Sequence, residues 1–357
     1  MRPAKFEIPV PRDFILARDA CSYGYFLLAP NHWEPSTASF LTTLDLGERA
    51  VTLRVTQGDG GAPTGVRSLG RPRGLPLTVR ADASLTKTEK AETSRQLSRM
   101  LRLDEDHSNV ASFHTVDPRW RKVGRARLMR SASVFEDVIK TVTSCNVTWP
   151  STIIMNRRLC ETVGLRSASG LHAYPSAARL ARVRAQKLRA RCSVGYRDAR
   201  IVELARMFAR DSGPEVPRKL AAKGIVWPTR AGVGGDGETS FTGWLEAATT
   251  PDDHVYIALQ ELPGVGPYAA ANIMQLLGRY AHLPLDTESI RHAKSVLGFK
   301  GTDRELMRKL HAHYEPFGAH RFRSYWFELW CDYEAKRGPA WTWERETTGK
   351  TFTAAKL

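Results

Sequence analysis

The chain predicts an α+β fold, mostly α-helical, with an N-terminal antiparallel β-sheet subdomain. Three observations predict it. Residues 1–83 carry short β-branched and aromatic runs separated by turn residues. From about Lys87 onward, apolar residues recur at helical spacing. In the last third, two short helical patterns flank a glycine- and proline-rich turn.

Phe6–Val10, Gly24–Leu28, Phe40–Leu46, Ala50–Val55 and Leu75–Val79 read as strands, with a Gly/Pro/Arg-rich loop over 58–74. Ser84 to Leu103 reads as one helix. Asp117 to Arg130 reads as a basic connector. Ser133-Val134-Phe135-Glu136 has the pattern of a capping box, and Val134, Val138, Ile139 and Val142 follow on one face. After a polar turn at 143–149, Pro150 opens a helix through Val163 that Gly164 stops. Arg179 to Arg210 is strongly basic and contains Gly195-Tyr196-Arg197, with a helix from Asp198. Residues 211–240 are Pro/Gly-rich without a period and read as a surface insertion. Thr302 and Glu305 cap a helix to His313, and an aromatic stripe runs from Phe322 to Trp330. The helical region thus covers 84–336, and 337–357 reads as a poorly ordered tail.

The 357 residues carry a net charge of +16, with a pI near 9.9. That balance favours a polyanionic partner. Cys21, Cys145, Cys160, Cys192 and Cys331 are dispersed and odd in number, which argues against a disulfide framework or close metal-ligand spacing. No apolar run approaches membrane-spanning length, and Met1 to Glu7 is no signal peptide. The expectation is a cytoplasmic, nucleoid-associated monomer.

The chemistry concentrates at 251–291. Thr250-Pro251-Asp252-Asp253 has the composition of a helix start: a Thr cap, Pro at the first helical position, acids in the first turn. Pro263-Gly264 ends that helix, and Gly264-Val265-Gly266 makes a turn that needs residues without Cβ. Pro267 starts a second helix, stopped by Gly278, so 251–278 is a helix-hairpin-helix. The exposed amides of the hairpin form an anion site suited to a DNA phosphate. Asp286, after Leu283-Pro284-Leu285, sits at the N-cap of the next helical pattern, where the dipole favours its ionised form. A clamp for DNA gains nothing from that carboxylate. A reaction that develops positive charge on a sugar does.

Leu262-Pro263-Gly264-Val265-Gly266 followed by Leu283-Pro284-Leu285-Asp286 resembles the helix-hairpin-helix DNA glycosylases with a Gly/Pro-rich loop and an essential Asp (the HhH-GPD superfamily). The likeness is to the 8-oxoguanine and 3-methyladenine DNA glycosylase II-like branches, and runs from about Ser133 to Leu329. It implies a two-lobed helical fold with an N-terminal β subdomain and a partner, duplex DNA with a damaged base that is flipped out for cleavage. Asp286 then stabilises the sugar cation and orients water. Asn146 fills the gap left in the duplex, Tyr196 wedges into the stack, and Arg197 contacts the orphaned base. Gly264, Val265, Gly266 and Glu288 complete the DNA contacts, and Trp326 lies against the flipped base, with Tyr325 and Trp330 one register slip away. The main-chain carbonyls of Gln260, Leu262 and Val265 match those that hold a monovalent cation. No other cofactor is implied, and the C-terminal iron–sulfur cluster of the endonuclease III branch is not expected, since only Cys331 lies there.

The departures are informative. Tyr268 stands where bifunctional members have the Lys that attacks C1′, so strand cleavage is not expected. Asn272 replaces a Cys beside the base, and Ser151 replaces the Arg that reads the opposite cytosine. The lesion therefore stays open between an oxidised and an alkylated purine. Two alternatives remain: a non-catalytic hairpin clamp, and a lyase that uses another amine such as Lys294 or the N-terminus.

Overall fold

A computed structural model describes residues 3–58, 74–229, 240–345 and 348. Five strands form one antiparallel sheet: β1 (Lys5–Ile8), β2 (His32–Glu34), β3 (Ser39–Asp45), β4 (Ala50–Gln57) and β5 (Leu77–Ala81), in the order β1-β5-β4-β3-β2. A tight turn joins β3 to β4 and sets Leu44 opposite Val51. Residues 59–73 of the predicted loop lie outside the described residues. β4 is buried at most positions because both faces are covered. Apolar Val51, Leu53 and Val55 face one way. On the other face the hydroxyls of Thr43, Thr52, Ser167 and Ser169 bond one another, which fastens the sheet to the loop after the helix Trp149–Val163.

Gly24–Leu28 is not a strand. Gly24–Leu27 is a 3₁₀ turn, and Tyr25, Phe26, Leu27 and Leu28 are all buried rather than alternating. Gly24 matters sterically, since a Cβ there would lie 2.9 Å from the indole of Trp149. The helix Leu16–Ala20 and the short strand β2 are additions that the sequence pattern did not signal.

The first long helix is shorter than expected, Lys87–Met100, because a reciprocal Thr86/Glu89 capping box starts it later. A second helix, His107–Val116, follows with Asp106 as its cap. Ser133 caps the helix Val134–Ser144, but only half of the predicted box forms. The Glu136 carboxylate turns instead to the buried Lys140, 2.6 Å away. Thr250 does not cap the first hairpin helix. Pro251 is the N-cap residue of Asp252–Gln260, and the Thr250 hydroxyl bonds the Trp244 carbonyl. Residues 211–229 lie at the surface, anchored by Trp227, which is buried and donates its indole N–H to the Pro214 carbonyl at 2.8 Å. Residues 230–239 lie outside the described residues. The expected loose tail is corrected over residues 338–345. After the helix Arg321–Arg337, a turn at Ala340–Thr342 drives Trp343 into the core against Trp330 and Phe26. Residues 346, 347 and 349–357 are outside the description.

The apolar core falls into two clusters. One unites the sheet with residues 97–129 and with 276–343. The other gathers residues between Val134 and Leu277, joined by Ala29. Buried charge crosses the seam. Arg99 pairs with Asp137 and Glu246, each at 2.9 Å, and Arg102 donates to the carbonyls of Gln275 and Leu276. Such pairs are costly to break from one side, so they fix how the two lobes meet. No helix among the described residues is long and apolar enough to cross a membrane.

Candidate active site

A cavity of about 360 Å³ opens at this seam, within the range of ligand pockets (roughly 300–1,000 Å³). Both lobes wall it. The first lobe contributes Tyr23, Gly24 and Tyr25 from the 3₁₀ turn and Trp326, Trp330 and Tyr333 from the last helix. The second contributes Tyr268, Asn272 and the turn that ends in Trp149. Among the described residues lining it, Asp286 and Glu288 are the charged ones; no Lys or Arg is present.

Asp286 is the N-cap of the helix Thr287–Ser295. Its Oδ1 accepts the amides of Glu288 (3.0 Å) and Ser289 (3.1 Å) and approaches the Ser289 hydroxyl at 3.3 Å. The Ser289 hydroxyl in turn accepts the Asp286 amide and bonds the buried Tyr325 hydroxyl at 2.7 Å. The other oxygen, Oδ2, accepts the phenol of Tyr268 at 2.9 Å. Burial, and then the neighbouring carboxylate, push that phenol well above its ordinary pKa, so it stays a donor. The Leu283-Pro284-Leu285 segment before Asp286 and the cap geometry explain the placement, and both were readable. The Tyr268 bond was not, because nothing in the spacing of 18 residues shows that the two side chains meet.

Asn272 lies one turn after Tyr268 and accepts the Tyr23 hydroxyl at 3.3 Å. Trp326 donates its indole N–H to the Ser22 carbonyl, stacks on Phe322 and Trp330, and lies 4.7 Å from the Tyr23 ring centre. The cavity therefore brings Asp286, Tyr268, Asn272 and Trp326 together. Tyr325 and Trp330 are more buried than Trp326 and serve as its support. Sequence reasoning missed Tyr23, Gly24, Trp149 and Tyr333. The one available signal was the buried, non-alternating Tyr23-Gly24-Tyr25.

The hairpin lies beside the cavity. Gly264 has φ +81°, a left-handed conformation, and a Cβ there would sit 2.9 Å from Cδ of Arg200. Gly266 is different. Its backbone is extended (φ −93°) and nothing stands within 4 Å, so the turn itself does not demand glycine there. Val265 packs its side chain inward, and its amide donates to the Leu262 carbonyl at 3.0 Å. No group of three or more His, Cys, Asp or Glu that suits a metal occurs among the described residues, and the five cysteines are unpaired.

Asn146 is exposed in a left-handed turn (φ +53°), and Tyr196 is 55% exposed. Between them lies Arg197, and here the expectation needs correcting. Arg197 is buried, and its guanidinium bonds the carbonyls of Val142 and Cys145. It shapes the turn that presents Asn146 and underlies the Tyr196 ring at 4.4 Å, so it has no free fork for a base. Arg200, exposed, lies 5.5 Å from that ring and against Gly264, which makes it the outward cation. Glu288 lines the cavity, and its carboxylate is paired with Arg291.

No family model matches the chain, and no curated protein matches it in sequence. Solved structures share its fold. A 3-methyladenine DNA glycosylase from Archaeoglobus fulgidus superposes with a TM-score of 0.60 at 18% identity, over 92% of this chain and 99% of that one. MBOgg1 in complex with a low-affinity DNA ligand gives 0.60 at 15% identity, over 94% and 100%. The apo 8-oxoguanine glycosylase/lyase of Clostridium acetobutylicum gives 0.57 at 15% identity, over 92% and 98%. The chain thus has the α+β fold of helix-hairpin-helix DNA glycosylases.

Proposed function

We propose that the protein is a DNA glycosylase of base excision repair that hydrolyses the N-glycosidic bond of a flipped, damaged purine in duplex DNA. The observation that carries this is Asp286: a helix-capping carboxylate in the wall of an aromatic cavity, next to a hairpin whose turn has open space for a phosphate. The hairpin amides and Arg200 hold the backbone. Tyr196 and Asn146 occupy the stack that the extruded base leaves. As the base departs, the carboxylate offsets the positive charge spreading over the sugar, and it accepts a proton from the water that attacks C1′. The neutral carbonyls of Gln260, Leu262 and Val265 suit a monovalent cation that links the turn to a phosphate. No step rests on it.

The cavity supports release without strand cleavage. No described lining residue carries an amine, and Lys294 is engaged with Asp303 at 3.1 Å. Its walls also favour one class of lesion. Aromatic faces with two carboxylates and no cation attract a positively charged, N-alkylated purine more than a neutral oxidised one. Asp286→Asn removes the charge and keeps the shape. It should abolish release of free base, measured on a panel of single-lesion duplexes, with affinity unchanged or tighter. Wild-type turnover by the Asn variant would refute the assignment.

A further inference from the structure

The two oxygens of Asp286 are held in different ways. Oδ1 belongs to the helix cap: two amides and a hydroxyl within three residues fix it. Any N-cap Asp has such partners. Oδ2 is the oxygen left for chemistry, and its recorded partner comes from a different helix, Pro267–Leu276, which belongs to the other core. Tyr268 is half-buried and rooted: its carbonyl accepts the Asn272 amide at 3.4 Å, and Asn272 is held by Tyr23. The contact therefore joins elements from both lobes across the seam where a base would enter.

We propose that Tyr268 is a positioning residue for the proposed glycosylase reaction: its phenol fixes the carboxylate rotamer so that Oδ2 faces the sugar carbon. This rests on the glycosylase reading above. The phenol acts through Asp286 and transfers nothing itself. A single O–H donor leaves Oδ2 a free lone pair for the water. Without the phenol, Oδ2 is tethered only through Oδ1, and rotation about the carboxylate's last torsion, a soft one, carries it away from the reacting carbon.

Tyr268→Phe tests this with the ring and its packing retained. The single-turnover rate of base release should fall about tenfold to a hundredfold, the scale of one hydrogen bond to a charged group. Affinity for the lesion duplex should stay within about twofold, since the phenol meets the carboxylate rather than DNA. The loss should appear in kcat with KM unchanged. An unchanged rate in an active protein would overturn the inference. So would a rate loss that tracks a lowered melting temperature, or one carried by KM, because that would make Tyr268 a packing or binding residue. If the wild type releases no base from any lesion duplex, the glycosylase reading fails instead, which separates the two.

Discussion

Replacing Gly264 by Ala perturbs the hairpin at a point where the cost can be worked out. The residue has φ +81°, where a side chain costs about 1–2 kcal/mol relative to glycine. The added Cβ would meet Cδ of Arg200 at 2.9 Å, but that is the middle of a flexible, exposed side chain and can move aside. The strain thus falls on the backbone. If the turn relaxes in the free protein and must be restored on DNA, affinity drops by about 5- to 30-fold. The lost contacts are amides, which are neutral, so the slope of log affinity against log salt should stay as in the wild type. Arg200→Ala is the complement. It removes a cation, and the slope should shrink by about 0.9. Fluorescence anisotropy on damaged and undamaged duplexes over a range of salt reads both variants. The loss for Gly264→Ala should be equal on the two duplexes, because hairpin contacts position without reading sequence. A lesion-selective loss, or a slope that flattens as it does for Arg200→Ala, would refute the assignment of this turn as a neutral phosphate grip.

Two further outcomes are expected. Wild-type protein should give no borohydride-trapped adduct and leave the abasic strand intact until alkali is added, whereas Tyr268→Lys should gain weak trapping by placing an amine beside Asp286; a strong wild-type adduct would contradict the monofunctional reading. Glu328 accepts from His292 (3.0 Å), Tyr314 (2.7 Å) and Arg119, and so ties the Asp286 helix to the C-terminal helices. Burial alone would raise its pKa, but those donors hold it down at about 2 against an ordinary 4.5. A depressed carboxyl stabilises above its unfolded pKa and loses that stability as pH falls through the folded one. Glu328→Gln should therefore cost about 3 kcal/mol near neutrality, and the gap to wild type should close between about pH 4.5 and pH 2 in denaturant titrations. A gap that does not depend on pH would contradict it.

The parts of the site that were legible in sequence are those written in local grammar. Asp286 at a cap, Gly264 at a left-handed turn, Pro267 at a helix start and Asn146 in a polar turn each depend on neighbours within four residues. What was not legible depends on distant partners. Gly24–Leu28 has strand composition, yet Trp149 packs over Gly24, and the run is buried on every side. Arg197 reads as a contact to DNA by its motif, yet the carbonyls of Val142 and Cys145, more than 50 residues away, claim its guanidinium. The sequence from 337 lacks any period, so nothing local shows that Trp343 packs on Trp330 and Phe26.

The two-core arrangement has a consequence for how the chain is made. The strands emerge first, but the partners that complete their core are the helices after residue 276. Roughly 150 residues separate Met129 from that return, and at ribosomal speed they take roughly 7–30 s to synthesise. During that interval the intervening lobe, whose apolar cluster lies within its own stretch apart from Ala29, can assemble its core. The sheet does not: its apolar face stays open on a nascent polypeptide until the last helix and Trp343 arrive. Conditions that slow translation across this stretch should therefore raise the yield of insoluble product, while truncation just before residue 276 should leave a folded helical lobe with an unfolded N-terminal arm.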